Sequence, residues 1–179
     1  MATAGTPGYQ LGQTALLVKV PEAEPLVKSW RDRFDPAAAA GVPAHVTVLV
    51  PFLSRSAIGP EVTAELRRIF ARYPAFGIEF LECRRFPDVL YLAPQPETQF
   101  RALTSAVAAQ FPEAPPYGGQ FDDVVPHLTV AHGQEVNVLD KIEAELSPRL
   151  PVSAAISAVH LVTFTGEQWC EEYVFELGR

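Results

Sequence analysis

The stretch PAHVTVLVPF, residues 43–52, decides how the chain is read. Val46, Val48 and Val50 mark a strand, because β-branched residues at every second position suit a pleated, half-buried surface. Side chains of a strand alternate between its faces, so His45 and Thr47 share the other face, roughly 7 Å apart. A polar pair on one face of an apolar strand needs partners or water. The same order returns in VVPHLTVAHG, residues 124–133, where His127 and Thr129 stand against Leu128 and Val130.

Working outward, the two motif strands sit in halves of matching layout. Residues 14–20 read as a strand and 21–34 as a helix, with acids early and Arg31 and Arg33 late, matching the helix dipole. Residues 35–43 form a loop whose alanines can hold one helical turn. After the first motif come a helix over 59–74, with Val62, Leu66, Ile69 and Tyr73 on one stripe, and paired strands over 76–86 and 88–94. A helix over 96–111 opens the second half on Phe100, Leu103, Val107 and Phe111. Residues 112–126, dense in Pro and Gly, are the longest loop. The second motif strand follows, then a helix around 137–146 and closing strands over 154–164 and 168–177. The histidines are 82 residues apart, and the same shift carries Tyr91 onto Tyr173, each in the strand that closes its half. The repetition is one of architecture, with little identity of residues.

The expected fold is α+β and bilobal, a single domain over residues 1–179 with approximate halves 14–93 and 94–179. Two pseudo-twofold-related lobes each carry a mainly antiparallel sheet, outer helices and a half-core. The valine faces pack on helices, and both His–Thr faces line a wet cleft between the lobes.

Composition narrows the function. Hydrophobic residues make up 48% and charged residues 20%, ordinary for a globular protein. A net charge of −7 argues against a broad nucleic-acid footprint, though a nucleotide or a short RNA end needs only a few local cations. Cys83 and Cys170 lack metal-ligand spacing and read as reduced core residues. MATAGTPGYQLGQ, residues 1–13, has neither the basic nor the apolar region of a signal peptide, and no apolar run approaches the roughly 18 residues of a membrane span. A soluble, cytoplasmic monomer is expected, with no membrane partner.

Two imidazoles facing one another across a cleft suit a phosphodiester. Displacement at phosphorus needs a base for the attacking oxygen and an acid for the leaving one, and imidazole serves as either near neutrality. Threonine hydroxyls can donate to the non-bridging oxygens, whose charge grows in the transition state. The scheme calls for no metal and no cofactor. One His-x-Thr would mean little. With four histidines and ten threonines among 179 residues, chance supplies about 0.2 of them, and two at equivalent points of a repeat stand well above that. The competing readings are a pair of core histidines and a zinc site of His45, His127 and His132, which no ligand spacing supports.

Paired His-x-Thr motifs, each followed by an apolar residue in a chain of this size, resemble the two-histidine (2H) phosphoesterase superfamily. That superfamily includes the bacterial 2′-5′ RNA ligase-like proteins and cyclic phosphodiesterases. The resemblance runs from TALLVKVPEAEPLV at 14–27 through GVPAHVTVLVPF and PHLTVAHG to the closing strands. It implies the bilobal α+β fold, metal-independent cleavage of 2′,3′-cyclic phosphates or related 2′-linked esters, and site residues His45, Thr47, His127 and Thr129. The expected partner is a nucleotide or short RNA end, with 2′-5′ ligation as the reverse reaction. A non-catalytic module binding a nucleotide or phosphate ligand in the same cleft is the rival reading. Many RNA ligase-like members carry a basic residue just after the second motif, where this chain offers His132. Arg55 after the first motif, Tyr117 in the long loop and His132 are candidate substrate contacts. Arg84 and Arg85 are weaker ones, best read as solvated charges. Trp169 and Phe52 read as core aromatics, and His160 as structural.

Overall fold

A computed structural model describes residues 8–179. The first seven residues of the stretch read against a signal peptide lie outside them. The described residues form two four-stranded antiparallel sheets. The first has the order β2-β1-β7-β8, from β1 (Thr14–Lys19), β2 (His45–Leu49), β7 (Ala158–Phe164) and β8 (Trp169–Glu176). The second has the order β5-β4-β3-β6, from β3 (Phe76–Phe86), β4 (Val89–Gln95), β5 (Leu128–His132) and β6 (Val152–Ile156). Five helices accompany them: α1 (Glu24–Phe34), α2 (Pro36–Ala39), α3 (Pro60–Phe70), α4 (Thr98–Gln110) and α5 (Val136–Leu146). The fold is the expected bilobal α+β arrangement.

Helices α1, α3, α4 and α5 form in the stretches read as helical, with residues 21–23 a 3-10 turn ahead of α1. Pro25 and Pro60 occupy first-turn positions that need no amide donor, and Arg31, Arg33, Arg67 and Arg68 lie at the carbonyl ends of α1 and α3. The alanine loop does hold one turn, α2, started by Asp35, whose side chain accepts from the Ala37 amide at 3.0 Å.

The division of labour between the sequence halves differs from the expected one. Strands β3 and β4 from the first half build the second sheet with β5 and β6, and β7 and β8 return to complete the first sheet. The stretch 154–164, expected as one strand, breaks at Ser157, and its two parts join different sheets. The matching of Tyr91 with Tyr173 fails for the same reason. Tyr91 lies in β4 and pairs with Thr129, whereas Tyr173 lies in β8, at the opposite edge of its sheet from β2. The residue that occupies Tyr91's place in the first lobe is Leu17, which pairs with Thr47.

The helices also cross between the lobes. α1 packs against β5 and α4 against β2, where the Thr104 hydroxyl donates to the Val48 carbonyl at 2.7 Å. Each motif strand is therefore braced from behind by a helix belonging to the other half. Instead of two half-cores there is one continuous core, running from Val18, Val46 and Leu161 through Leu103 and Leu26 to Leu92, Leu128 and Val130. A second, smaller apolar cluster of Leu17, Val42, Val162, Phe164 and Trp169 lies apart from it, and four of its members line one cavity with His45 and Thr47.

Candidate active site

His45 and Thr47 are half-buried while Val46 and Val48 are fully enclosed, as a strand with one core face and one cleft face requires. His127 stands one residue ahead of β5, and Thr129 follows on the same side. β2 and β5 lie in contact, and both His–Thr pairs line one cavity of about 280 Å³.

Matching irregularities shape the two strands. Leu17 pairs with Thr47 and Leu16 with Leu49, so Val48 is an extra residue, a β-bulge. Tyr91 pairs with Thr129 and Leu90 with Ala131, which makes Val130 the equivalent bulge. Each bulge buries two successive residues, Val48 with Leu49 and Val130 with Ala131, and returns the next side chain to the cleft. That next residue is Val50 in one lobe and His132 in the other, and both line the cavity. Strict alternation would have sent His132 into the core.

The two imidazoles are held alike. His45 Nδ1 lies 2.8 Å from the Pro43 carbonyl and His127 Nδ1 lies 2.7 Å from the Val125 carbonyl. A carbonyl only accepts, so each Nδ1 carries the hydrogen and each Nε2 is left as the working nitrogen. Phe86 and Tyr91 brace His127 edge-on, with ring centroids 5.3 and 5.5 Å away.

Charge at the site is sparse. Burial, reinforced by the Arg31 guanidinium, pushes His45 down to about 4, and protonation of His127 opposes its own in turn. Burial also lowers His127, offset by its bond to the Val125 carbonyl and by Asp35. Among the described residues lining the cavity, Asp35 is the one Asp, Glu, Lys or Arg, and it is answered by the buried Arg31, whose Nη2 lies 2.8 Å from its Oδ2.

Tyr117 reaches the cleft from the long loop. Its backbone is left-handed, with φ of 51°, a conformation unfavourable for a side chain of this size, and its amide donates to the Val50 carbonyl at 2.7 Å. Burial raises its hydroxyl above the ordinary value, countered by a hydrogen bond with Thr47. Phe121, largely exposed, meets its ring edge-on.

Other expected contacts lie elsewhere. Arg55 does not line the cavity and pairs with Glu172 at 2.5 Å. Arg84 pairs with Glu82, and Arg85 with Asp140 and Glu143. Phe52 is core, packed edge-on against Phe111. Trp169 lines the cavity, where Tyr9 stacks edge-on against it at 5.2 Å. His160 is partly buried and its Nδ1 lies 2.7 Å from Glu171 Oε2. Cys83 and Cys170 are half-buried, and burial pushes the Cys83 thiol up to about 11. Sequence reading missed Tyr9 and Asp35. Asp35 carries the signature of a helix cap but none of a cleft position, and Tyr9 sits in a segment without periodicity. Among the described residues, no three His, Cys, Asp or Glu side chains gather as metal ligands, and no helix is long and apolar enough to cross a membrane.

Comparison with known proteins gives a consistent result. A family model described as the 2′-5′ RNA ligase superfamily matches residues 19–168. No curated protein sequence matches the chain. Among solved structures, E. coli LigT complexed with 3′-AMP is similar at a TM-score of 0.62 and 17% identity, covering 95% of this chain and 100% of that one. E. coli LigT complexed with NADP+ gives 0.59 at 17% identity, covering 96% and 100%. Kluyveromyces marxianus Usb1 gives 0.50 at 11% identity, covering 93% and 99%. At these identities the likeness is one of fold.

Proposed function

The chain belongs to the 2′-5′ RNA ligase superfamily, and from that premise we propose that it is a phosphoesterase opening 2′,3′-cyclic phosphates, or related 2′-linked phosphodiesters, on nucleotides or RNA ends. The observation that carries this reading is the matched pair of imidazoles, each with Nδ1–H committed to the carbonyl two residues before it, at one shared cleft.

In this scheme a water attacks phosphorus in line with the leaving ribose oxygen. Neutral His45 takes the water's proton on Nε2 as the new O–P bond forms. Protonated His127 gives its Nε2 proton to the ribose oxygen as the old P–O bond breaks. The pair ends with the same number of protons, exchanged between its members, and bulk water resets it. The burial of His45, to which Arg31 adds, favours this assignment, because it keeps that imidazole neutral and able to act as the base. Thr47 and Thr129, which line the same cavity as the histidines, donate to the non-bridging oxygens. Tyr117 and His132 meet the substrate at the rim, and the apolar wall of Leu17, Val162 and Trp169 takes its ribose and base. A ribose hydroxyl in place of water runs the same chemistry as 2′-5′ ligation. The nucleotides complexed with E. coli LigT support a nucleotide as the ligand class.

The test is turnover of 2′,3′-cyclic nucleotides with and without a chelator. Undiminished hydrolysis in chelator is expected. His45→Ala and His127→Ala are each expected to lower the rate by about 10²–10⁴ with the fold retained. Thr47→Ala and Thr129→Ala should each lose about 1–3 kcal/mol of transition-state stabilisation. Nucleotide binding without turnover would leave a binding module in place of an enzyme.

A further inference from the structure

The cleft face of the first sheet does not end at the reacting pair. Side chains directly opposite one another in an antiparallel ladder lie on the same face. Lys19 opposes His45, His160 opposes Leu17, and Glu171 opposes Val162. Leu17 and Val162 line the cleft beside His45, so Lys19, His160 and Glu171 continue the same floor past it. The three are joined. Lys19 Nζ lies 2.5 Å from Glu171 Oε2, and His160 Nδ1 lies 2.7 Å from the same oxygen. Lys19 and Glu171 are each about one-third exposed, so that pair is open to a ligand, with the less exposed His160 behind it.

We propose that this trio is a second anion subsite, in which Lys19 takes the phosphodiester that flanks the terminal nucleotide of an RNA end. The inference rests on the phosphoesterase reading above and refines it, making the substrate an oligonucleotide end. Three features support it. An ammonium has three N–H donors, and the bond to Glu171 uses one, leaving two for a phosphate oxygen. Glu171 also accepts from His160, so the carboxylate that competes with a phosphate for Lys19 is partly engaged elsewhere. Lys19 also lies one strand from His45, so a chain whose last phosphate meets the imidazoles has its preceding phosphate close at hand. The second lobe has no equivalent. Its row from Thr129 passes through Tyr91 to Arg84, two strands away and paired with Glu82.

The test is calorimetric binding of two probes that need no turnover, 3′-AMP and the adenylyl dinucleotide bearing a 3′-monophosphate. The wild type is expected to bind the dinucleotide about tenfold more tightly, with a steeper salt dependence. Lys19→Met should erase that difference and leave the affinity for 3′-AMP within about twofold. Glu171→Gln, which removes the competing carboxylate, should widen it, and Arg84→Met should leave it unchanged. Equal wild-type affinities for the two probes would overturn the subsite. So would a loss of affinity in Lys19→Met that is the same for both. Should Lys19→Met fail to fold, the wild-type comparison and Glu171→Gln decide the matter. Absence of cyclic phosphate turnover would overturn the phosphoesterase reading alone, since the binding comparison does not depend on it.

Discussion

His45 and His127 share a motif and a hydrogen-bond pattern but not an electrostatic setting. Burial with the Arg31 cation behind it holds His45 at about 4, while His127 is lowered less far, by burial and by His132. Catalysis by the proposed pair needs His45 neutral and His127 protonated. In the free protein, His45 gains its proton only as the pH falls toward 4, which sets the acid limb of the profile. His127 loses its proton as the pH rises through a value below the ordinary 6.5, which sets the alkaline limb. The maximum of kcat/KM for a 2′,3′-cyclic nucleotide is therefore expected below pH 6.5. A bound phosphate anion favours both protonated imidazoles, so the maximum of kcat should lie at higher pH than that of kcat/KM. A steady-state profile from pH 3.5 to 9 measures both. A kcat/KM maximum at pH 7 or above would contradict the settings of the two rings.

Arg31 matters equally at the scale of elements, where it ties the end of α1 to the loop that delivers His45. Its Nε and Nη2 both donate to Asp35 Oδ2, at 3.0 and 2.8 Å, and Nη2 also reaches the Val42 carbonyl at 3.1 Å. Asp35 Oδ1 meanwhile starts α2. The Arg31 side chain is 2% exposed and that of Asp35 4%, so removing one partner strands a buried charge. Arg31→Met is expected to destabilise the fold by about 3–5 kcal/mol in urea denaturation, and adding Asp35→Asn should recover part of that loss. A change below about 1 kcal/mol in the single variant would show that water replaces the guanidinium. Most elements were legible in the sequence because each carries its own period: Leu66 and Ile69 on α3, Val46 and Val48 on β2. What periodicity does not carry is the choice of partner strand. Ala154–Phe164 is mostly apolar, with β-branched residues on both sides of Ser157, and nothing in that pattern marks Ser157 as the point where the chain leaves one sheet for the other. The bulges at Val48 and Val130 were hidden likewise, because two adjacent apolar residues read equally well as a strand buried on both faces. His45, Thr47, His127 and Thr129 were legible because they lie before either bulge, where alternation still holds.

Exchange of strands between the halves makes the whole molecule one cooperative unit. The first sheet is completed by residues 158–176 and the second draws on both halves, so neither half contains a complete sheet. Every helix that braces a motif strand comes from the opposite half, and a single core joins Val46 and Leu161 to Leu128 and Ile156. Lobes folded separately would each keep an apolar core of their own and unfold at their own midpoints. Here, loosening one lobe exposes the face on which the other is packed. Trp30 on α1 packs against the main core, and Trp169 on β8 belongs to the second, smaller cluster. Urea unfolding followed by tryptophan fluorescence and by far-UV circular dichroism is therefore expected to give coincident, single transitions. A chain ending at residue 95 should show no cooperative transition, because β1 loses its partner β7 and β4 its partner β5. Two resolved midpoints, or a cooperatively folded 1–95 fragment, would mean that the lobes fold independently and that the cleft is assembled by their docking.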